Sequence, residues 1–362
     1  MHRSPPSRDR APREPVPGAA LAPDGTVDAR GDVPSDLRDR ADRLAEQGRW
    51  AELHEALDAV GEEGVLAAGR ALAYRYGEAL FHTGRMEELS VWADRCEEAA
   101  RRDSDVGGIL RGLNLAGIAA FELGEVDRAR ERFEKLMELA EAESSNDMMA
   151  RAANGLGSIA VLAGRHDEAL SIFQLAEPLY ARLDNVRGLA QLYHNHGICF
   201  RDLGRYDDAL DAYLRASRLA DDIGYDFLAG MTAAGRAEIE LIREDTEYAQ
   251  RLARRALETV REVGDPISEA EALRVLALAE AQAGGSRAEI VGYFESGLEL
   301  ARETRSTLLE AEIERDLGSF LVGEGSPEEG RERLERAVEI FRRVGAAGYA
   351  EEARETLAAL GG

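Results

Sequence analysis

From Ala190 to Asp222 the chain alternates apolar and polar positions with a helical step. Ala190, Tyr193, Gly197, Phe200 and Leu203 recur at three- and four-residue intervals, which places them on one face of an α-helix. Gly204 breaks that helix, and Ala209, Tyr213, Ala216 and Ala220 resume the spacing, so a second helix folds its apolar stripe back against the first. Neither helix buries its face alone. The pattern returns when the frame is shifted by 40 residues in either direction, with turns predicted near Gly48, Gly84, Gly124, Gly164, Gly204, Glu244, Gly285 and Gly325. Eight hairpins thus run from Ser35 onward. The first is short, as an end unit should be, and a last helix from about Ala346 to Leu360 is expected to cap the other end.

A second periodicity lies inside the hairpins. Gly77, Gly117, Gly157, Gly197 and Gly318 each stand seven residues before a turn, and Ala237 and Ala277 hold the same place elsewhere. A mid-helix glycine costs roughly 0.5 to 1 kcal/mol against alanine, so its recurrence calls for close approach of the paired helix. On the second helices, Ala129 with Phe133, Ala169 with Phe173 and Ala209 with Tyr213 set a small residue four before a large one. The aromatic ring then fills the space the alanine leaves.

The pairs Leu156–Gly157 and Leu203–Gly204, with the small-then-aromatic pairs, resemble the tetratricopeptide repeat, over roughly residues 35 to 345. The chain departs from that repeat's usual length of about 34 residues, and its early tryptophan position holds Ala73, Leu113, Ala153, Tyr193, Ala233 and Leu273. The longer period is similar to repeats of kinesin light chains, Pins-type polarity adaptors and sensor regions of bacterial regulators. The resemblance implies an all-α, right-handed solenoid of about eight hairpins plus the capping helix, whose concave groove holds a peptide. HEAT and armadillo repeats match in length but lack the glycine pattern.

Composition divides the chain in two. Residues 1 to 34 hold seven of the ten prolines, with five arginines and five acidic residues and few large apolar side chains, and are expected to be a disordered tail; residues 35 to 362 form the repeat domain. Against 45 basic residues stand 70 acidic ones, a net charge of −25, which disfavours nucleic acid and anionic membranes as partners. Lys135 is the only lysine. No segment is apolar for long enough to span a bilayer or act as a signal peptide, and the two cysteines, Cys96 and Cys199, suggest neither a disulfide framework nor a zinc site, so a cytoplasmic location is expected.

Catalytic motifs are nearly absent, and no cofactor or metal is expected. The glycine-bearing run from Gly323 to Gly330 falls at a helix–helix turn and so is no dinucleotide fingerprint. His196 and Cys199 lie three apart and could form a thiol–imidazole pair, but no third orienting group is evident and packing explains them better; His194 and His196 point to different helix faces and make a poor metal pair. A more promising column stands three residues before each helix glycine: Tyr74, Asn114, Asn154, His194, Ala234, Arg274 and Arg315. One turn earlier come Arg111, Arg151 and Gln191, and Arg201 lies two turns beyond His194 on the same stripe. Stacked repeats would bring these into a polar ladder on the concave face, in two patches, Arg111 to Arg201 and around Arg274 and Arg315. Asparagine offers a donor and an acceptor to a peptide unit, and arginine a fork to an acidic side chain or a C-terminal carboxylate. The expected function is therefore a non-catalytic scaffold or adaptor that binds a protein or peptide at these candidate residues. The alternatives are a sensor subunit for a signalling peptide or small ligand and, much more remotely, a cysteine-dependent enzyme. Pro178, inside a predicted second helix, should kink or end it.

Overall fold

The computed structural model describes residues 35–359, which are built from helices and turns, with no strand among them. The expectations for residues 1 to 34, and for the last residue of the capping helix, Leu360, lie outside the described residues. The first hairpin pairs α1 (Ser35–Glu46) with α2 (Trp50–Asp58), and a short helix that the periodicity did not reveal, α3 (Glu62–Ala67), follows it. Next come α4 (Arg70–His82) with α5 (Met86–Arg102), α6 (Val106–Glu122) with α7 (Val126–Ala142), and α8 (Asn146–Leu162) with α9 (His166–Arg182). The series continues with α10 (Val186–Asp202) and α11 (Tyr206–Ile223), then α12 (Asp226–Ile242) and α13 (Thr246–Val263). It ends with α14 (Pro266–Gln282) and α15 (Arg287–Glu303), α16 (Thr307–Gly323) and α17 (Pro327–Arg343), and the capping helix α18 (Ala347–Ala359).

The true unit of regularity is half a repeat. Each full-length helix ends on a residue with positive φ: Gly124, Gly164 and Gly204 within hairpins, for example, and Ser144, Asp184 and Gly224 between them. The left-handed residue lets the helix's last carbonyls find donors, as where Gly124 N–H donates to Phe121 O at 3.0 Å and Glu125 N–H to Ala120 O at 2.8 Å. The seventh hairpin corrects the sequence reading by one residue. Its left-handed turn residue is Gly284, φ +74°, and Gly285 is an extra residue before Ser286, so every later element is displaced by one. Pro178 does not end α9, which runs on to Arg182, because proline removes only one donor from an otherwise intact ladder.

Aromatic rings enter at three of the five recurrent helix glycines, Gly117, Gly157 and Gly197, while Gly77 meets Leu115 and Gly318 meets Leu334 and the Gly330 carbonyl. A Cβ at Gly157 would stand 2.2 Å from Phe173 Cε1, and one at Gly197 2.4 Å from Tyr213 Cε1. The Phe133 ring is shared: a Cβ at Gly117 in its own hairpin or at Gly155 in the next would meet it at 2.6 Å. Each such ring therefore couples successive repeats as well as the two helices of one hairpin. Leu203, assigned to the apolar stripe, lies instead at the exposed helix end.

The solenoid also winds back onto itself. Thr307 Oγ1 donates to Leu123 O at 3.0 Å across 184 residues, and His82 Nδ1 lies 3.3 Å from Asp265 Oδ2 across 183 residues, so between four and five hairpins complete a turn. Two hairpin turns are wedged into this seam. A Cβ at Gly124 would lie 2.7 Å from Val344 Cγ1, and one at Gly84 2.7 Å from Pro266 Cγ. Apolar side chains continue it, with Val263 and Ile267 packed on the N-terminal core and Leu162 in one cluster with Phe341 and Val344. Finally Tyr349 of α18 donates to Asp202 at 2.6 Å, fastening the cap to the end of α10.

Candidate binding interior

Because the turns touch, the first helices α4 to α16 enclose an interior, and the inward column is much less exposed than solvated groove residues would be. Asn114 and Arg274 are each 2% exposed and His194 7%, while Arg111, Arg151, Asn154, Gln191, Arg201 and Arg315 are half-buried. The structure brings the nine candidate residues into two neighbouring groups, divided at a different point from the sequence reading. Arg111, Asn114, Arg151, Asn154, Gln191 and His194 form the first, and Arg201 joins Arg274 and Arg315 in the second.

Asn114, Arg151, Asn154, Gln191 and His194 of the first group line a partly open cavity of about 270 Å³, and Arg111 lines an adjoining pocket with Tyr74, Arg151 and Arg187. Tyr74 organises one wall: its hydroxyl accepts from Asn114 Nδ2 at 3.3 Å and from Arg151 Nη1 at 3.2 Å, and Arg111 and Arg151 lie 6.0 and 5.9 Å from its ring centroid. Arg151 also binds Asp147 at 2.9 Å, and Asp147 accepts in turn from Asn185 at 2.9 Å. Asn195 Nδ2 donates to Asn154 Oδ1 at 3.0 Å and Gln191 Nε2 to the Tyr225 hydroxyl at 3.2 Å. His194 Nδ1 is buried without a hydrogen-bond partner. Burial, reinforced by Arg201, lowers this imidazole to about 4, so it is neutral at physiological pH and presents one donor and one acceptor. Burial, with Asp265 adding to it, raises Glu122 in the same cavity to about 7.

The second group is a charge network. Arg274, from α14, reaches Asp316 at 2.6 Å, Glu271 at 2.8 Å and Glu238 of α12. Arg201 joins Glu238 to Asp202, and Arg315 joins Asp316 at 2.9 Å to Glu352 at 3.4 Å. Burial works against the charge on Glu238, but Arg201 and Arg274 prevail and hold it down to about 2. Burial lifts Glu312, at the edge of the network, to about 7 despite Arg274. An open pocket of about 820 Å³ adjoins the group, with Tyr349 and Glu352 on its rim.

Reading for basic and amide residues passed over Glu238, Glu271, Glu312 and Asp316, and the cavity residues Tyr180, Arg187, Asn195 and Tyr225. A signal for the carboxylates existed. Arg201 and Glu238 are 37 residues apart, Arg274 and Glu238 36, Arg274 and Asp316 42, all one repeat give or take a helical turn. Elsewhere, the Cys199 thiol donates to the His166 carbonyl at 3.6 Å and is pushed up by burial to about 12, while His196 stands edge-on to Phe173, 5.1 Å between centroids. Among the described residues, no helix is long and apolar enough to cross a membrane, and no group of three His, Cys, Asp or Glu side chains is arranged to hold a metal.

Fold and interior together define a helical-repeat protein, an α-solenoid with a polar inner face. Residues 148–222 match the tetratricopeptide repeat family, and a similar helical hairpin recurs on either side of them. Outer dynein arm-docking complex subunit 4 of Danio rerio is 32% identical over 155 residues, which are 42% of this chain and 30% of that protein, so the match spans under a third of the relative's length. Among solved structures, the chain is similar to the APC/C hetero-tetramer Cut9–Hcn1, with TM-score 0.59, 16% identity, and coverage of 88% of this chain and 55% of that one. It is also similar to a Rap protein complexed with competence and sporulation factor, with TM-score 0.56, 12% identity and coverage of 90% and 96%. A Rap conjugation regulator in complex with the Phr* peptide superposes with TM-score 0.53, 16% identity and coverage of 91% and 97%. At these identities the structures share the fold.

Proposed function

We propose that the chain is a scaffold that binds another protein through a peptide segment admitted to its interior, with Arg111, Asn114, Arg151, Asn154, Gln191 and His194 as the contact set. Arg201, Arg274 and Arg315 belong to the frame on this reading, since their guanidiniums already hold carboxylates. The observation that carries it is the cavity itself, lined by side-chain amides and a neutral imidazole that can bond a peptide backbone. Folded domains do not fit such an interior; an extended segment does. A sensor of a signalling peptide is the second reading, favoured by the turn-to-turn seam, which offers an element a ligand could bias. The Rap conjugation regulator in complex with the Phr* peptide shares this fold over about nine-tenths of both chains, a precedent for a peptide on a solenoid of this length.

Peptides selected on the immobilised full chain from a displayed random library provide the test. Binding should fall at least about tenfold, roughly 1.4 kcal/mol, in Asn154→Ala combined with Gln191→Ala, at unchanged helicity. Undiminished binding would overturn the interior as the site. A shift in solution dimensions on peptide binding would select the sensor over the passive adaptor.

A further inference from the structure

Glu122 stands where the seam and the cavity meet. It is the last residue of α6, one before the Leu123 carbonyl that accepts from Thr307 across the seam and two before Gly124, which is wedged there. Its side chain lines the cavity with Phe81, Phe121 and Phe227 and takes part in no hydrogen bond or ion pair among the described residues. The charged and titratable groups that share this cavity come from three helices: Glu78 and His82 from α4, Arg151 from α8, Arg187 and His194 from α10. No charged side chain joins them from α5, α7 or α12. Arg151 is taken up by Asp147, and Arg187 lies over the Tyr225 ring at 4.5 Å. From across the seam comes Asp265, which caps α14 by accepting from Ser268 N–H at 2.9 Å and lies 3.3 Å from His82 Nδ1. The His82 ring is itself pinned, stacked on Trp50 at 4.1 Å and edge-on to Phe227 at 4.7 Å between centroids. A carboxyl without a partner therefore faces a second carboxylate on the opposite side of a closed, aromatic-lined seam.

From this arrangement we propose that Glu122 is a proton-operated latch: as the neutral acid it lets the turns of the seam close, and as the carboxylate it repels Asp265, calls for water and drives the turns apart. The sign with pH follows from linkage. Burial, with Asp265 adding to it, holds the closed-state carboxyl up at about 7, against 4.5 for an exposed glutamate. Closure is undisturbed below about pH 4.5, weakens as pH rises from there towards 7, and levels off above it. Between pH 5.5 and 8 these two values raise the ratio of open to closed chains on the order of twentyfold. Opening separates Leu123 from Thr307 and His82 from Asp265, and so uncovers the interior between them. Admission of a ligand by this route rests on the interior site proposed above, whereas the latch itself does not.

Hydrogen exchange of the full chain without ligand, followed by mass spectrometry and corrected for the chemical exchange rate at each pH, tests the latch. In peptides spanning residues 80–87 and 120–127, which carry the seam turns, protection should fall on the order of twentyfold from pH 5.5 to pH 8. The turn at Gly284, where a Cβ would meet nothing within 4 Å, should not change. Glu122→Gln cannot ionise, and it should keep the seam turns equally protected at both pH values, with a melting temperature at pH 8 no lower than that of the parent. Asp265→Asn retains a capping side chain but removes the facing charge, so it should shrink the fall without abolishing it. No fall in the parent, an equal fall in Glu122→Gln, or an undiminished fall in Asp265→Asn would overturn the latch. Peptide selection on the same chain is read separately at one pH, so failure of the latch leaves the peptide-binding reading standing.

Discussion

Replacing Arg274 by glutamine probes the densest part of the interior. The Arg274 side chain is 3% exposed and stands among Glu238, Glu271 and Asp316, with Glu312 at 3.9 Å. Glutamine can replace one hydrogen bond but none of the charge, so Glu238 and Asp316 would face each other in a poorly solvated space. Breaking a buried pair by removing one partner costs about 3–5 kcal/mol, and since Arg201 still holds Glu238, the lower end, about 3 kcal/mol, is expected. The sign with pH follows from Glu238. Held down to about 2 in the folded chain, below an unfolded value of about 4.3, it contributes stability that is fully present at neutral pH and lost as pH falls towards 2. In the variant Glu238 keeps only Arg201 against its burial and is held down less, so the deficit is greatest near pH 8 and shrinks towards about pH 4 as Glu238 protonates. Urea unfolding followed by far-ultraviolet circular dichroism, at both pH values, measures this, with Arg254→Gln as the surface control. Arg254 is 56% exposed and bound only to Glu280, so its loss should cost at most about 1 kcal/mol. A deficit in Arg274→Gln no larger than the control's, or one independent of pH, would refute the reasoning.

Three further outcomes follow from the fold. Gly124 and Gly164 have the same left-handed backbone, φ +74° and +72°, but only Gly124 is wedged in the seam, whereas a Cβ at Gly164 meets nothing within 4 Å. Gly124→Ala and Gly164→Ala should share a strain cost of about 1 kcal/mol, and small-angle scattering should find a larger radius of gyration only in Gly124→Ala. Gly157→Ala drives a methyl into Phe173 and should destabilise by about 1–3 kcal/mol in chemical denaturation, with partial recovery in the double variant with Phe173→Leu. Glu244 holds φ +64° without being glycine, so Glu244→Gly should raise stability by about 0.5–1 kcal/mol, the relief of strain exceeding the added freedom of the unfolded chain.

The repeat was legible because its period is written in small residues, glycine or alanine, at one position of each first helix, and in the turn residues, mostly glycine, that take positive φ. Spacing paired Phe173 with Ala169 of its own helix, and the structure seats the ring against Gly157 of the partner helix. The seam was not legible. The rotation from one hairpin to the next is the sum of many small packing angles, so nothing local to Gly124 announces Val344, although both are apolar or small and exposed on an isolated hairpin. Burial of the ladder is a consequence of the seam, and for that reason His194 and Arg274 read from sequence as groove residues. Arg274's role as a framework cation needed its partners in the two flanking repeats, and Arg187 went unnoticed because it sits in the first turn of α10, outside the column that the glycines define.

The central claim is that ligands meet the inner helices and not the convex ones. A library-selected peptide carrying a photoactivated cross-linker at each position in turn, irradiated with the full chain and mapped by mass spectrometry, tests it most directly. The account predicts attachment to α4, α6, α8 and α10, concentrated around Asn154, Gln191 and Asn195, which line the cavity. Attachment confined to the outer helices α7, α9 and α11 would contradict it.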